Sequence, residues 1–60
     1  MYEIYFEDCD NQYHKLTCYD ETAAVDIAEQ LSEIYRGNTS VEQGLTIIAE
    51  FDDGKRRIRN

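Results

Sequence analysis

The stretch DETAAVDIAEQLSEIYRG, residues 20–37, decides the fold of this chain. Its apolar residues recur at the spacing that places them on one face of an α-helix. Those residues are Ala24, Ile27, Ala28, Leu31, Ile34 and Tyr35. Asp26, Glu29 and Glu33 fall on the opposite side, at positions i, i+3 and i+7. The sequence therefore predicts an amphipathic helix with a core-forming stripe and a row of carboxylates facing solvent.

Both ends of this predicted helix carry residues that favour a helix boundary. The Asp20 carboxylate can accept hydrogen bonds from free N–H groups of the first turn, and Glu21 adds negative charge where the helix dipole favours it. Gly37 suits the left-handed residue that ends a helix, and Arg36 before it lies at the negative end of the dipole. We therefore expect the helix to fill this stretch from Asp20 to Gly37.

The length and composition predict one small folded unit. A chain of 60 residues is typical of a single domain with one small core, so we expect one domain over residues 1–60. Hydrophobic residues make up 42% of the chain, which favours a folded state over a disordered one. The chain contains no apolar run long enough to predict a transmembrane helix. It also lacks the pattern of a secretory signal. The expected location is cytoplasmic, in the host cytoplasm if a phage encodes the chain.

The charge is strongly acidic and unevenly distributed. The net charge is −7, from 13 acidic and 6 basic residues. Residues 1–35 contain nine of the acids and Lys15 as their single base, whereas the tail is basic. The basic tail consists of Lys55, Arg56, Arg57 and Arg59. Phosphate would be repelled by most of the molecule, so direct nucleic-acid binding is disfavoured and a basic partner is favoured. The alternative is that the acidity only maintains solubility.

Four segments have the alternating pattern of β-strands, with a polar loop after the helix. The predicted strands are residues 1–8, 13–19, 45–51 and 55–59, and the loop is residues 38–44. In the third strand, alternate residues are expected to point inward, namely Leu45, Ile47, Ala49 and Phe51. Asp53-Gly54 is a strong signal for a two-residue hairpin turn. The fold class is therefore α+β, with element order ββαββ.

The register of the first hairpin follows from keeping one face apolar. A two-residue loop would place Phe6 opposite Lys15, so we favour a three-residue loop at residues 10–12. That loop pairs Phe6 with Leu16, Ile4 with Cys18, and Glu7 with Lys15. Antiparallel pairing throughout then predicts a four-stranded sheet of order 2-1-3-4, with the helix on one face. In this register Cys18 points inward and Cys9 lies at the turn, so the two are expected to remain unbridged.

No catalytic, metal or cofactor motif is present in the sequence. His14 is the single histidine, and Asp8 is expected to face it across the hairpin, but no nucleophile is placed to join them. The segment beginning at Asp8 starts like a calcium loop, but Tyr13 and Tyr19 stand where that motif needs glycine and glutamate. We therefore expect a protein that is not an enzyme and that holds no metal and no cofactor.

Two surfaces remain as candidates for binding a partner. The first is the helical row Asp26, Glu29 and Glu33, which spans about 10 Å and has the spacing to imitate part of a phosphate backbone. Further carboxylates are expected to extend this row around the hairpin tip and helix start: Asp8, Asp10, Asp20 and Glu21. The second surface is the open sheet face, with Tyr5, Tyr13 and Tyr19, because tyrosine is enriched at protein interfaces. Ordinary cross-strand packing is the alternative for these tyrosines.

A short acidic α/β chain with these tyrosines and no catalytic motif resembles phage-encoded inhibitors, notably anti-CRISPR proteins that mimic DNA. The resemblance rests on size, charge and general form over the whole chain. It implies a non-enzymatic inhibitor whose partner is a basic nucleic-acid-binding host protein. The alternative is a small adaptor, or a homodimer, that uses the tyrosine-bearing open sheet face; Tyr5 and Tyr19 are its candidate residues. The basic tail departs from the pattern of a pure mimic.

Overall fold

The computed structural model describes residues 1–58. It contains one helix and five strands, with these bounds: β1 Tyr2–Glu7, β2 Tyr13–Cys18, α1 Glu21–Tyr35, β3 Asn38–Gln43, β4 Thr46–Asp52 and β5 Lys55–Arg56. The strands form one antiparallel sheet of order β2-β1-β3-β4-β5, and α1 packs on one face of it. The α+β class and the helix-on-sheet arrangement are therefore confirmed. Arg59, which we assigned to the last strand and the basic tail, lies outside the described residues.

The sheet has five strands and not the predicted four, because residues 38–43 form β3 in the middle of the sheet. The predicted loop was wrong. Thr39 and Val41 point to the helix face and are buried, and the Thr39 hydroxyl donates to the carbonyl oxygen of Ala28 at 2.8 Å. Consequently β1 pairs with β3, and the strand at residues 46–52 lies one position further out than predicted.

The start of the helix agrees with the sequence, whereas its end differs by one residue. The Asp20 carboxylate accepts a hydrogen bond of 2.8 Å from the N–H of Ala23, as expected for the N-cap. At the other end Arg36, and not Gly37, adopts the left-handed conformation, with φ 51°. The N–H of Gly37 then donates at 3.1 Å to the carbonyl of Ser32, which also accepts from the N–H of Arg36, so both bonds close the last turn.

The core forms along a narrower line of the helix than predicted. Its buried apolar residues are Ile4, Ala24, Ala28, Val41, Ala49 and Phe51, with Leu31 partly buried beside them. Ser32 continues the line Ala24–Ala28 at the next i+4 position and is fully buried. Three members of the predicted stripe are instead exposed: Ile27, Ile34 and Tyr35. The small residues Ala24, Ala28 and Ser32 face the sheet, so the helix packs closely on the central strands. The flank of the helix that carries Ile27 and Ile34 is left uncovered.

The first hairpin is shifted by two residues from the predicted register. The observed pairs are Phe6 with His14, Ile4 with Leu16, Tyr5 with Lys15, and Glu7 with Tyr13. A five-residue loop, 8–12, replaces the predicted three-residue loop. The reason is Asp8, whose N–H donates to the carbonyl of Gln12 at 3.0 Å and whose carboxylate accepts from the N–H groups of Asp10 and Gln12. A shift of two keeps every side chain on its predicted face.

The second hairpin confirms the Asp53-Gly54 turn. Asp52 pairs with Lys55, and the two turn residues have φ angles of 51° and 79°. Of the four residues predicted to point inward in the third strand, Ala49 and Phe51 are buried in β4, but Ile47 is exposed and Leu45 lies fully exposed in the turn before β4. The register shifts at Val41/Glu42, and this irregularity interrupts the alternation ahead of Ala49.

The two cysteines are free, as the sequence predicted. Cys9 is exposed in the β1–β2 loop, and Cys18 ends β2 with its thiol directed at the carbonyl oxygen of Asp20, at 3.4 Å. Among residues 1–58 no helix is both long enough and apolar enough to cross a bilayer.

Candidate functional site

The three central carboxylates of the acidic row lie on the side of α1 that faces away from the sheet. Asp26 and Glu33 are exposed and Glu29 is half-buried. Their positions follow from the buried line Ala24–Ala28, which fixes the helix rotation and turns positions 26, 29 and 33 outward. We call these three residues the acidic stripe.

In the described part of the chain, no basic side chain forms an ion pair with the acidic stripe. The helix Glu21–Tyr35 contains four carboxylates and no basic residue. Within residues 1–58 the ion pairs are His14–Asp8, at 2.6 Å, and Lys15–Glu3, at 3.4 Å. Neither involves the stripe, so its negative field extends into solvent.

The structure separates the four flanking carboxylates into two groups at opposite ends of the helix. Asp20 and Glu21 lie at its N-terminus, where Tyr2 of β1 contacts Glu21. Partial burial and this neighbouring carboxylate raise the pKa of Tyr2. Asp8 and Asp10 lie in the β1–β2 loop, which is near the C-terminal end of the helix.

Aromatic stacking positions the β1–β2 loop at the C-terminal end of α1. The ring of Phe6, two residues before the loop, stacks on Tyr35 of the last helical turn with centroids 5.7 Å apart. Phe6 also stacks on His14, with centroids 5.1 Å apart. The expected continuous row around hairpin tip and helix start is therefore not formed, because these two regions cap opposite ends of the helix.

Asp8 is engaged inside its own loop and contributes less free charge than the other acids. Its carboxylate lies 2.6 Å from His14 Nε2 and accepts from two backbone N–H groups, at 2.8 Å from Asp10 and 3.0 Å from Gln12. The hydrogen bond with His14 and those from the backbone lower the pKa of Asp8. The expected Asp8–His14 pair is thus present, as a link that closes the hairpin.

One acidic neighbour of the stripe was not recognised in the sequence. A Cβ atom at Gly54 would lie only 3.2 Å from Glu33 Cγ, so the β4–β5 turn packs directly beside the stripe. Asp53, exposed and next to Gly54, therefore adds a carboxylate at this edge. The sequence identified Asp53 as a turn residue, but its place beside Glu33 depends on how α1 crosses β4.

The open sheet face carries tyrosines in two different states. Tyr5 is half-buried, and its hydroxyl donates to Glu3 Oε2 at 3.1 Å, the same carboxylate oxygen that Lys15 approaches. Partial burial and the Glu3 carboxylate raise the pKa of Tyr5. Tyr13 and Tyr19 are 79% and 83% exposed. The predicted tyrosine surface thus consists of one anchored ring and two free ones.

A groove of about 370 Å³ runs over this open face between β1 and the segment after β5. Tyr5, Tyr13, Ser40, Glu50, Arg57 and Ile58 contribute to its lining. The N–H of Arg57 donates to the carbonyl of Glu50 at 2.8 Å, which continues the β4–β5 pairing along the groove. Its mixed polar and aromatic walls suit contact with another protein surface.

Within residues 1–58, no three histidine, cysteine, aspartate or glutamate side chains lie together in a way that could hold a metal ion. The acidic stripe and the open-face groove are therefore the candidate sites, and both are suited to binding by charge and shape. No protein-family model matches the chain, and comparisons with curated proteins and with solved structures gave no match.

Proposed function

We propose that this protein is a non-enzymatic inhibitor that occupies the nucleic-acid site of a basic host protein, in the manner of an anti-CRISPR DNA mimic. The observation that carries the proposal is the unneutralised helix: Glu21–Tyr35 holds four carboxylates, no basic residue and, within residues 1–58, no ion pair. A cytoplasmic location is part of the proposal, because the partner acts on nucleic acid there.

The spacing of the acidic stripe is compatible with this role. Along a helix that rises about 1.5 Å per residue, three- and four-residue intervals separate charges axially by about 4.5 and 6 Å. Phosphates of one DNA strand follow at about 3.4 Å per step along the helix axis. Glutamate side chains are flexible enough to adjust their carboxylates to Lys and Arg side chains that normally contact phosphates. Binding then displaces counterions and depends steeply on salt.

The flanking acids add negative charge near both ends of the helix. Asp20 and Glu21 lie at the N-terminus of α1, and Asp10 lies in the β1–β2 loop near its C-terminal end. Since α1 has 15 residues, its own length is about 21 Å, which corresponds to about six phosphate steps of one DNA strand. A groove that contacts less than one turn of the duplex is the kind of partner site it fits.

The experiment compares two triple charge reversals against a partner captured from host lysate. One variant carries Asp26→Lys, Glu29→Lys and Glu33→Lys. The matched control carries Glu7→Lys, Glu42→Lys and Asp52→Lys, the same charge change on the open sheet face. After the partner is identified by mass spectrometry, its binding to labelled DNA is followed by fluorescence anisotropy as each protein is added, at low and high salt.

The parent and the control variant are expected to displace the DNA, and the helix variant to lose this ability by at least tenfold in effective concentration. Competition by the parent should weaken as salt is added, because the attraction acts between solvated charges. Circular dichroism verifies that both variants are folded. A folded helix variant that displaces DNA as well as the parent does would refute the proposal.

The second candidate function is an adaptor or homodimer that uses the open sheet face, and the groove with Tyr5 and Tyr13 favours it. This candidate predicts the opposite ranking of the two triple variants. It also predicts that Tyr13→Ser with Tyr19→Ser disrupts partner binding, since exposed tyrosines supply much of the contact at interfaces. The mimic predicts that this double variant still competes with DNA.

A further inference from the structure

The outer edge of β2 has no strand beside it in the described part of the chain. β2 lies at one end of the strand order and pairs with β1 alone. Its residues Tyr13–Cys18 contain no proline and no glycine, and all but Cys18 are exposed. A free edge of six residues presents unpaired N–H and C=O groups that are able to bind another strand.

An apolar flank borders this edge on the helix side. Leu16 pairs with the buried Ile4, so it lies on the sheet face that α1 covers, yet it remains 44% exposed. Ile27 and Ile34, seven residues apart on one flank of α1, are also exposed, Ile34 at 69%. The opposite flank contacts the β4–β5 turn through Glu33 and Ser32, so Ile27 and Ile34 lie toward β1 and β2.

We propose that a second copy of this chain covers the β2 edge, with the two β2 strands pairing antiparallel about a twofold axis at Leu16. The two sheets then join into one continuous sheet with both helices on the same face. Leu16 and its symmetry mate meet at the centre, on the sheet face that carries the helices. This buries apolar surface of Leu16 that the monomer leaves exposed.

The charge distribution selects a copy of this chain as the occupant at this edge. A chain of net charge −7 is repelled by its own copy at most surfaces. β2 carries no carboxylate, and its charged residue is Lys15, with His14 beside it. Two copies therefore meet at this edge without opposing carboxylates, unlike at their acidic surfaces. The sheet's opposite edge, β5, is only two residues long, so it offers little backbone for head-to-tail pairing with β2, and the assembly closes as a dimer.

The register follows from the side chains of β2. Two residues that lie directly opposite each other in antiparallel strands point to the same face of the sheet. The twofold axis must therefore pass beside one residue of each β2 strand, and not between two successive residues. With the axis at Leu16, the pairs are Leu16 with Leu16, Lys15 with Thr17, His14 with Cys18, and Tyr13 with Tyr19. An axis at Lys15 would place two ammonium groups opposite each other, which is unfavourable. Lys15 is also held by Glu3 at 3.4 Å over its own sheet, so it does not block the edge.

This dimer does not depend on the proposed function. The acidic stripe lies on the helix flank away from β2, so dimerisation leaves it accessible. Dimerisation and DNA competition can therefore succeed or fail separately.

Sedimentation equilibrium over a wide range of protein concentration tests the dimer. The parent is expected to shift from its monomer mass of 7.1 kDa toward twice that value as concentration rises. Leu16→Lys places two like charges at the twofold axis and should raise the dimer dissociation constant at least tenfold. Leu45→Lys is the matched control, because Leu45 is fully exposed in the β3–β4 turn, away from β2. It should dimerise as the parent does.

A cysteine at the axis tests the register. In a Cys9→Ser, Cys18→Ala background, Leu16→Cys should form an intermolecular disulfide on mild oxidation, because directly opposed antiparallel residues have Cα separations compatible with a disulfide. Leu45→Cys in the same background should remain mostly reduced. Circular dichroism verifies that every variant is folded.

A parent that stays at the monomer mass at all concentrations overturns the proposal. So does a dimer that folded Leu16→Lys leaves intact, because the contact then lies elsewhere, for example on the tyrosine face. Equal disulfide yields for the cysteines at positions 16 and 45 would overturn the register.

Discussion

The hydroxyl oxygen of Ser32, in the middle of the sequence, accepts a hydrogen bond of 2.7 Å from the backbone N–H of Gly54 in the β4–β5 turn. Ser32 is fully buried, and its hydroxyl donates in turn to the carbonyl of Glu29 at 3.0 Å. This contact ties the helix to the second hairpin across 22 positions of sequence. It also fixes Glu33, the neighbour of Ser32, beside the turn, so it supports the geometry of the acidic stripe.

Ser32→Ala is expected to lower the free energy of unfolding by about 1–3 kcal/mol, because the Gly54 N–H loses its partner in a partly buried position. Chemical denaturation measures this loss. Thr22→Ala is the control: it removes an exposed hydroxyl from the first helical turn and should change stability by less than about 0.5 kcal/mol. Equal effects of the two substitutions would show that the Ser32–Gly54 contact does not stabilise the fold.

Gly54→Ala should destabilise the protein more than Gly44→Ala. Both glycines have positive φ, at 79° and 61°, so a side chain at either costs about 1–2 kcal/mol. At Gly54 the added Cβ would also lie 3.2 Å from Glu33 Cγ, whereas Gly44 has open space around it. The difference between the two melting temperatures therefore reports the packing of the turn against the helix. A larger loss at Gly44 would contradict that packing.

The sequence located both helix ends but misassigned the residue that takes the left-handed conformation. Glycine at position 37 is the preferred residue type for a helix end, yet the helix ends one residue earlier. Arg36 adopts φ 51°, and Gly37 donates to Ser32. The sheet requires β3 to begin at Asn38, so the turn must be completed within two residues. Local preference could not reveal this requirement, because it arises from strand pairing.

Arg36→Gly is therefore expected to stabilise the protein by about 1 kcal/mol, since glycine adopts the left-handed conformation without steric cost. Arg36→Ala keeps a Cβ atom and should remain close to the parent. Thermal unfolding of the three proteins at one pH gives the comparison. If the alanine variant gains as much as the glycine variant, the gain comes from removing the arginine side chain and not from relief of the backbone.

The hairpin register was missed because the alternating pattern shows which side of the sheet each side chain faces. It does not show which residue of β2 pairs with a given residue of β1. Any shift of two residues preserves alternation, and cross-strand charge pairing favoured Glu7 opposite Lys15. The observed register is set instead by hydrogen bonds that Asp8 makes within its loop, which has Asn11 at φ 61°. Asp8 and His14 were predicted as neighbours from the sequence, and the structure places them 2.6 Å apart.

The hydrogen bonds of the Asp8 carboxylate predict how the stability of the fold depends on pH. The pKa of Asp8 lies below its ordinary value of 3.8, because His14 and backbone N–H groups bond to its charged form. Its stabilising contribution is fully present above pH 3.8 and is lost as the pH falls through the lower folded-state pKa. Unfolding temperatures of parent and Asp8→Asn should therefore differ at pH 6 and converge in strong acid.

Asp10→Asn is the control for that pH series. Asp10 belongs to the same loop and is exposed, and within residues 1–58 its carboxylate accepts no hydrogen bond. Its substitution should follow the parent's pH profile closely. If Asp8→Asn also follows the parent at every pH, the Asp8–His14 link contributes nothing to the hairpin.

The larger miss was the central strand β3, whose sequence NTSVEQ is polar at five of its six positions. Polar residues after a helix are typical of a loop, and Val41 is the single apolar residue of this segment. Inward-facing Thr39 is compatible with burial because its hydroxyl bonds to Ala28 in the helix. That partner is eleven residues away and becomes visible only when the helix is placed on the sheet. The acidic stripe, in contrast, followed directly from helical periodicity.

Val41 and Leu45 give the decisive comparison between a loop and a strand at residues 38–43. The sequence pattern made Leu45 a core residue and Val41 a loop residue, whereas the structure buries Val41 completely and exposes Leu45 completely. Val41→Ala should therefore cost about 2 kcal/mol, from two buried methyl groups and the space they leave. Leu45→Ala, although it removes more carbon atoms, should cost less than about 0.5 kcal/mol.

Hydrogen exchange adds an independent measurement: the amides of β3 should be among the most protected, because β3 has a paired strand on each side. The reverse order of stability losses, with rapid exchange at residues 38–43, would restore the four-stranded sheet and remove the support on which α1 and its acidic stripe rest.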